Sequence, residues 1–531
     1  MKKFIFYILI GIALIFVIQA CKTYYFRSNY KEANSLIHET NNLRTKPFLK
    51  AHLKNGDVCI LTDNWSVDTN LNIVIGYGTQ YDFNRKQTFE GSIRIPFDSV
   101  AIFETNVKIQ NPESGRITAL SIMTGLDIVL GVICLANPKA CFGSCPTFYI
   151  HENDNFHYAD AEGFTNAISP SLEYDDIDSL NNHRITNNVF SITMKNEALE
   201  THCVKIVKIL AYPLEQGERV YQSPTDHFYL CENTHSLSLA QAEDGNITSL
   251  LKNQDRQERF SFSDEINLSS KEEIYLTYDN VKKTEDFGLI LHFRQTLLTT
   301  YLFYSAMGYM GDEVSDIFAI LENHGDVRNK FDGSTKELGG IEVYIWNDHK
   351  QNWVYQDEFF ETGPIAINRQ FIPLKYSPSS STVKIKLVLN KGLWRIDYAA
   401  LTNIKNQVTP IEILPLTTYN KGKLDNKAMS EINSPGKYLL SLPGSEYKFN
   451  FELPNANSEY EFFLYSKGYY LEWMREDWIQ EKNLKKLRQM VEDPKNYLRE
   501  EAKSYKQYET IMEQEFWNSK IDTKIFSYHE N

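Results

Sequence analysis

Short runs in which apolar and polar residues alternate, each bounded by Gly, Asn, Asp or Pro, recur along this 531-residue chain and limit its fold more than any other feature. Successive side chains of a strand point to opposite faces, so a period of two reads as a strand with one buried face. HLKNGDVCIL, NIVIGYGTQYDF and EGSIRIPFDSVAIFE show the pattern first, separated by Asn55-Gly56, Gly76 to Gly78 and Glu90-Gly91. GIEVYIWNDHKQNWVYQDEFFE, GPIAINRQFIPLKY and STVKIKLVLNKGLWRIDYAAL repeat it later. The 32 Tyr and 31 Phe favour pleated, half-buried surfaces in the same way. The expected class is mainly β, and the length calls for several cores in several domains.

The pattern is absent at both ends. Lys2 and Lys3, the apolar run Phe4 to Ile18, and Gln19-Ala20-Cys21 have the layout of a secretory signal. The small Ala20 before Cys21 is similar to a bacterial lipoprotein cleavage site, which makes Cys21 the expected lipid attachment. Acyl chains contribute about 0.8 kcal/mol per buried CH2, so two or three hold a chain on a membrane. Such a protein belongs to the cell envelope outside the cytoplasm, at the outer membrane rather than the inner. At the other end, Ser458 to Phe516 is rich in Glu, Lys, Leu and aromatics, with Asp493-Pro494 as a break, and reads as a helical hairpin with Tyr469, Tyr470, Trp473, Trp478 and Trp517 as its aromatic face.

Between the ends the chain divides in order. Residues 1–20 are the signal peptide and 21–44 the lipid anchor and tether. Residues 45–112 form a small β-barrel-like domain, and 113–146 an apolar helix near 117–136 followed by a cysteine loop. Residues 147–285 form a β-sandwich, 286–410 a second, jelly-roll-like sandwich with an inserted helix, and 411–531 a strand-like linker and the C-terminal helical region. The run 117–136 carries only Asp127 as a charge, and its small residues suit burial better than a second membrane span.

Six further cysteines face an oxidising compartment. Cys141 and Cys145 flank Phe-Gly-Ser, with Pro146 after them, and a disulfide across that loop is the leading reading. A zinc site from Cys134, Cys141, Cys145 and His151 has an unusual ligand gap, and a redox dithiol lacks the βαβ unit that houses such pairs. The stretch KACFGSCPTFY, with NEALETH at Asn196 to His202, FRQTLLTTYLFY at Phe293 to Tyr304, LWRIDYAAL at Leu393 to Leu401 and GYYLEWMREDW at Gly468 to Trp478, resembles a family of bacterial cell-envelope lipoproteins. The resemblance implies a shared architecture and brings no activity with it.

Binding candidates are few. The later strands resemble a galactose-binding-like jelly roll, where exposed aromatics stack on sugar rings. Trp346, Trp353 and Trp394 are the glycan-platform candidates on that resemblance, and core packing is their competing role. His151, Glu152, Asp154, His157 and Asp160 alternate faces on a hairpin and do not converge on a metal. Glu173, Asp175, Asp176 and Asp178 read as a solvated acidic run. Asp312, Glu313 and Asp316 lie opposite the apolar face of a helix at Met310 to Leu321. Arg395 and Asp397, two apart on one strand, suggest an ion pair.

The net charge of −14, with no basic cluster, argues against a nucleic-acid partner. Nucleophile elbows, HExxH and phosphate loops are absent from the sequence, and no cofactor or metal is expected. The expected function is a non-enzymatic binding or scaffolding role toward an envelope protein or a glycan. A hydrolase of polysaccharide or peptidoglycan, with two carboxylates in a cleft, is the alternative, and a thiol-redox protein the second.

Overall fold

The computed structural model describes residues 23–28, 49–53, 57–62, 65–68, 70–81, 87–110, 145–150, 159–185, 188–196, 200–281, 286–314, 317–318, 333–360, 363–375, 381–441, 445–456, 458–472 and 481–518. The signal peptide, Cys21, the apolar run 117–136, Cys134, Cys141, the turn 151–158, Trp473 and Trp478 lie outside these residues. The protein is mainly β and multidomain, and the described residues form five antiparallel sheets.

The first sheet is a half-barrel of seven strands. Its centre runs Val100–Gln110, Leu49–Leu53, Val58–Leu61, Ile73–Tyr81, and the alternate residues Leu49, Ala51, Cys59, Leu61, Val74, Ile93 and Ile95 close over Trp65. Thr23–Ser28 pairs antiparallel with Val100–Gln110, so part of the expected tether is a strand. Gly78 allows the closest approach: a Cβ there would sit 2.0 Å from the Ile60 carbonyl oxygen.

The other four sheets stack in pairs. In the first sandwich, Val189–Lys195 lies between Glu446–Glu452 and Thr147–Tyr149. Opposite it, Glu459–Glu472 lies between Asp176–Arg184 and Glu200–Leu214. Phe148, Ile192, Val204, Ile209, Phe449, Phe462 and Leu464 fill the space between. The second sandwich pairs a sheet of Glu218–Gln222, Phe228–His235, Trp394–Val408, Phe287–Gln295 and Asn368–Pro373 with a sheet that includes Lys271–Tyr278, Val383–Asn390, Ile341–Asn347 and Asn352–Phe359.

This pairing redraws the linear division. Strands between residues 147 and 214 and between 411 and 472 make one sandwich, and the chain between 215 and 410 folds into the other. The segment 411–472 is therefore sheet rather than linker, and Lys271–Tyr278 pairs with Val383–Asn390 across the expected boundary at 285. Tyr469 and Tyr470 lie in the long strand Glu459–Glu472, not on a helix: central strands buried on both faces carry continuous apolar runs, which hide the period of two.

The sandwiches meet through Leu210 and Phe463 on one side and Val220, Phe228 and Leu230 on the other. Three of the longer helices among the described residues cover the second core. Leu298–Met310 starts earlier than its sequence period suggests, because Thr296 Oγ1 and the Glu513 carboxylate accept the N–H groups of Leu298 and Leu297. Leu484–Glu492 is capped by Asn483, whose side chain accepts the Lys486 N–H. Pro494–Asn518 follows, with Pro at its first position, where the missing N–H costs nothing. Its Tyr497, Leu498, Ala502 and Tyr505 enter the core of the second sandwich. Trp517 lies within this helix. No helix of the described residues is long and apolar enough to cross a membrane.

Candidate functional site: an aromatic face on the second sandwich

The outer sheet of the second sandwich has a strict division of faces. Ile274, Leu276, Ile345, Val343, Ile385 and Leu387 point inward and are fully buried. The residues between them point outward, and there the register places aromatics in rows. Tyr275 is opposite Lys386, Lys386 is opposite Tyr344, and Tyr344 is opposite Tyr355, one row across four strands. At a strand spacing of about 4.8 Å that row is roughly 14 Å long. In the adjoining row Trp346 faces Trp353.

The hairpin that brings the tryptophans together is fixed locally. Asn347 Oδ1 accepts the N–H groups of His349 and Lys350, each at 3.0 Å, and Gln351 takes the left-handed conformation that closes the turn. The rings then pack edge to face: Trp346 and Trp353 at 5.3 Å between centroids, Tyr344 and Tyr355 at 5.5 Å. Tyr275 tilts against Trp353 at 5.7 Å. Such pairs contribute about 0.5–1.5 kcal/mol each beyond the area they cover. Lys386 Nζ lies 5.0 Å from the Tyr344 ring centroid and 5.7 Å from that of Trp353.

Carboxylates lock the phenols. Glu273 accepts hydrogen bonds from Lys386, at 2.8 Å, and from the Tyr275 hydroxyl, and Glu342 accepts from the Tyr344 hydroxyl. The Lys386 bond and then the Tyr275 bond hold the Glu273 carboxyl below the usual range. The bond to Glu342, reinforced by burial, pushes Tyr344 up to about 12. The phenols therefore stay protonated and oriented. Tyr355 is 51% exposed and Tyr275 39%, while Trp346 and Trp353 are half-buried, so the face is open. A surface of ring edges and faces bordered by Lys and Glu arms matches a ligand that is apolar on its C–H faces and hydroxylated at its rim.

Trp394 is elsewhere. It is 3% exposed and packs edge to face on Phe293 inside the second core, so burial removes it from the platform. Tyr275, Tyr344, Tyr355 and Lys386 were missed from sequence, although Tyr344-x-Trp346 and Trp353-x-Tyr355 are mirror images about the turn, a sign that all four aromatics share one face.

The cysteine loop and the acidic run meet at the seam between the sandwiches. Cys145, in the left-handed conformation, donates its N–H to Glu200 Oε2 at 2.9 Å, and its thiol lies 3.7 Å from Glu162 Oε1. Among the described residues no disulfide is formed. Burial brings His202 down to about 3, so the neutral ring's Nε2 donates to Glu200 at 3.1 Å. Glu162 Oε2 accepts the N–H groups of Ile365 and Ala366, at 2.7 and 2.8 Å.

Asp178 is buried beside Asn368, and Asp176 accepts the Phe164 N–H, so neither is the solvated acid that the sequence suggested. Asp160, Glu162 and Asp178 line a cavity of about 10 Å³, room for roughly one water. A sugar ring does not fit there. Among the described residues no group of three His, Cys, Asp or Glu is placed to hold a metal. Glu313 pairs with Lys482 at 2.6 Å. No protein-family model matches the chain, and no curated protein matches it.

Proposed function

We propose that this protein is a lipid-anchored component of the bacterial cell envelope with a non-enzymatic binding role, and that its ligand is a glycan held on the outer face of the second sandwich. The observation that carries the reading is the Trp346–Trp353 pair, continued by Tyr275, Tyr344 and Tyr355 on one open sheet face. The fold does not need these rings outside its core. Aromatic faces attract the C–H faces of pyranose rings, and the Glu273, Glu342 and Lys386 arms offer both acceptors and donors to ring hydroxyls. The Lys2-Lys3 start, the apolar run and Ala20-Cys21 support the anchoring half of the proposal.

The test is sedimentation of the purified protein with insoluble envelope polysaccharide and peptidoglycan, together with tryptophan fluorescence during titration with soluble oligosaccharides. Wild type is expected to co-sediment with at least one polymer and to show a saturable fluorescence change. The double variant Trp346→Ala, Trp353→Ala should lose at least tenfold in affinity while keeping its fold, because both rings lie outside the core. Equal binding by the double variant would remove the platform, and no binding to any polymer would remove the glycan.

A further inference from the structure

A second feature, independent of the aromatic face, is an arginine whose guanidinium holds no acid in an ion pair among the described residues. Arg369 lies on Asn368–Pro373, the edge strand of the inner sheet of the second sandwich, directly opposite His292. It points to the face on which Tyr221, Ile290, Phe371 and Ala400 cluster, over which Glu218–Gln222 curls until it meets Asn368–Pro373. Its guanidinium makes no hydrogen bond or ion pair among the described residues, and its buried Nε is without an acceptor.

The charges around it are mixed. Arg219 and Arg256 are the nearby cations. Arg219 has spent its Nε and Nη2 on a two-pronged bond to the buried Glu461, at 2.7 and 2.8 Å. The nearby acids act on Arg369 without a hydrogen bond to it: Glu461 is held by Arg219, and Asp160 Oδ2 accepts the Ile150 N–H at 2.7 Å. His292 is held neutral by burial, then by Arg369 and Arg219. Burial, followed by the charge of Arg219, brings Arg369 itself down to about 10.

An arginine with a structural role is expected to hold a hydrogen-bonded acceptor, and the burial of its Nε adds to the cost of having none. The side chain is only half-buried and Arg256 is exposed, so solvent reaches the group. We infer that Arg369, flanked by Arg219 and Arg256, is a binding site for one oxyanion group, the carboxylate or phosphate of a small ligand. The planar guanidinium fork is suited to two oxygens of such a group.

The experiment is calorimetric titration of the full chain, in neutral detergent, with inorganic phosphate and separately with glucuronate, at constant ionic strength set by chloride. Saturable one-to-one binding of either probe is expected. Arg369→Gln should weaken it at least tenfold, and Arg369→Lys should weaken it less. Without ligand, Arg369→Gln should melt no lower than wild type, because the guanidinium it removes makes no hydrogen bond among the described residues. Saturation by phosphate alone or by glucuronate alone identifies the group recognised. The inference fails if neither probe saturates, if Arg369→Gln binds as wild type does, or if it melts several degrees lower, which marks a structural arginine. Loss of glucuronate binding in Trp346→Ala but not in Arg369→Gln would also overturn it and return the ligand to the aromatic face.

Discussion

Glu513 is the point at which the C-terminal helix is tied to the second sandwich, and Glu513→Gln is the sharpest test of that docking. Glu513 is 2% exposed; its Oε1 accepts the Leu297 N–H at 2.8 Å and its Oε2 faces Arg395 Nη2 at 2.8 Å and Nε at 3.3 Å. The amide keeps an acceptor for Leu297 but loses the charge that Arg395 faces. Glu258, 3.6 Å away and shared with Arg294, remains beside Arg395. A hydrogen bond to a charged group contributes about 1.5–3 kcal/mol, and breaking a buried pair costs about 3–5 kcal/mol. The retained Glu258 contact argues for the middle of that range, about 2–4 kcal/mol. For a unit of this size, 1 kcal/mol moves Tm by about 2–4 °C, so the second sandwich should melt roughly 5–15 °C lower.

Calorimetry and urea unfolding followed by tryptophan emission would measure it, with an unchanged urea slope as the sign that only stability moved. Glu431→Gln, which breaks the exposed Lys427–Glu431 pair at 3.7 Å, should cost at most about 0.5 kcal/mol and serves as the control. Replacing both partners, Arg395→Met with Glu513→Leu, should restore part of the loss. A change below about 0.5 kcal/mol in Glu513→Gln would refute the argument.

Three further outcomes follow from the same reasoning. Burial pushes Asp397 up to about 6, so the folded chain holds its proton more tightly than the unfolded chain and stability falls as pH rises from about 4 to 6; Asp397→Asn should add about 2 kcal/mol at pH 7 and flatten that slope in urea titrations. His202 has the opposite sign: burial brings it down to about 3, so its contribution is complete above about pH 6.5 and is lost as pH falls toward 3, a loss that His202→Gln should reduce in acid unfolding. Gly78→Ala should disrupt the half-barrel, because its Cβ would meet the Ile60 carbonyl, and limited proteolysis should then cut residues 49–110 while leaving the sandwiches intact.

Local chemistry made the fold class legible, and long-range pairing hid the rest. The hairpin over Asn347 to Asn352 is readable because alternation, turn residues and mirrored aromatics all fall within a dozen positions. That Glu459–Glu472 is a strand is not readable: its partners are at 176–184 and 200–214, nearly three hundred residues away in the chain, and its aromatics fit a helix face equally well. Arg395 illustrates the same limit at a site. The i, i+2 spacing to Asp397 suggests a pair, but a bulge places Phe293 opposite Ile396 and His292 opposite Tyr398, so Asp397 drops out of register and Arg395 turns to Glu258 and Glu513.

The insertion of one sandwich into the other fixes how the aromatic face is presented. Both connections between them, near residues 215 and 410, leave the same side of the first sandwich, where Leu214 and Ile411 belong to one sheet. A single tether would let the second sandwich swing, whereas two tethers plus the Arg219–Glu461 pair and the apolar contact of Leu210 and Phe463 with Val220, Phe228 and Leu230 hold it as one body. The aromatic face is on the sheet farthest from that junction, with the inner sheet between them. An outer face held on two tethers keeps the proposed glycan platform in a fixed orientation relative to the first sandwich. Glu461→Gln should therefore loosen the second sandwich, seen as a new protease-sensitive site near residues 215 and 410, while leaving the affinity of the isolated aromatic face for a soluble oligosaccharide unchanged.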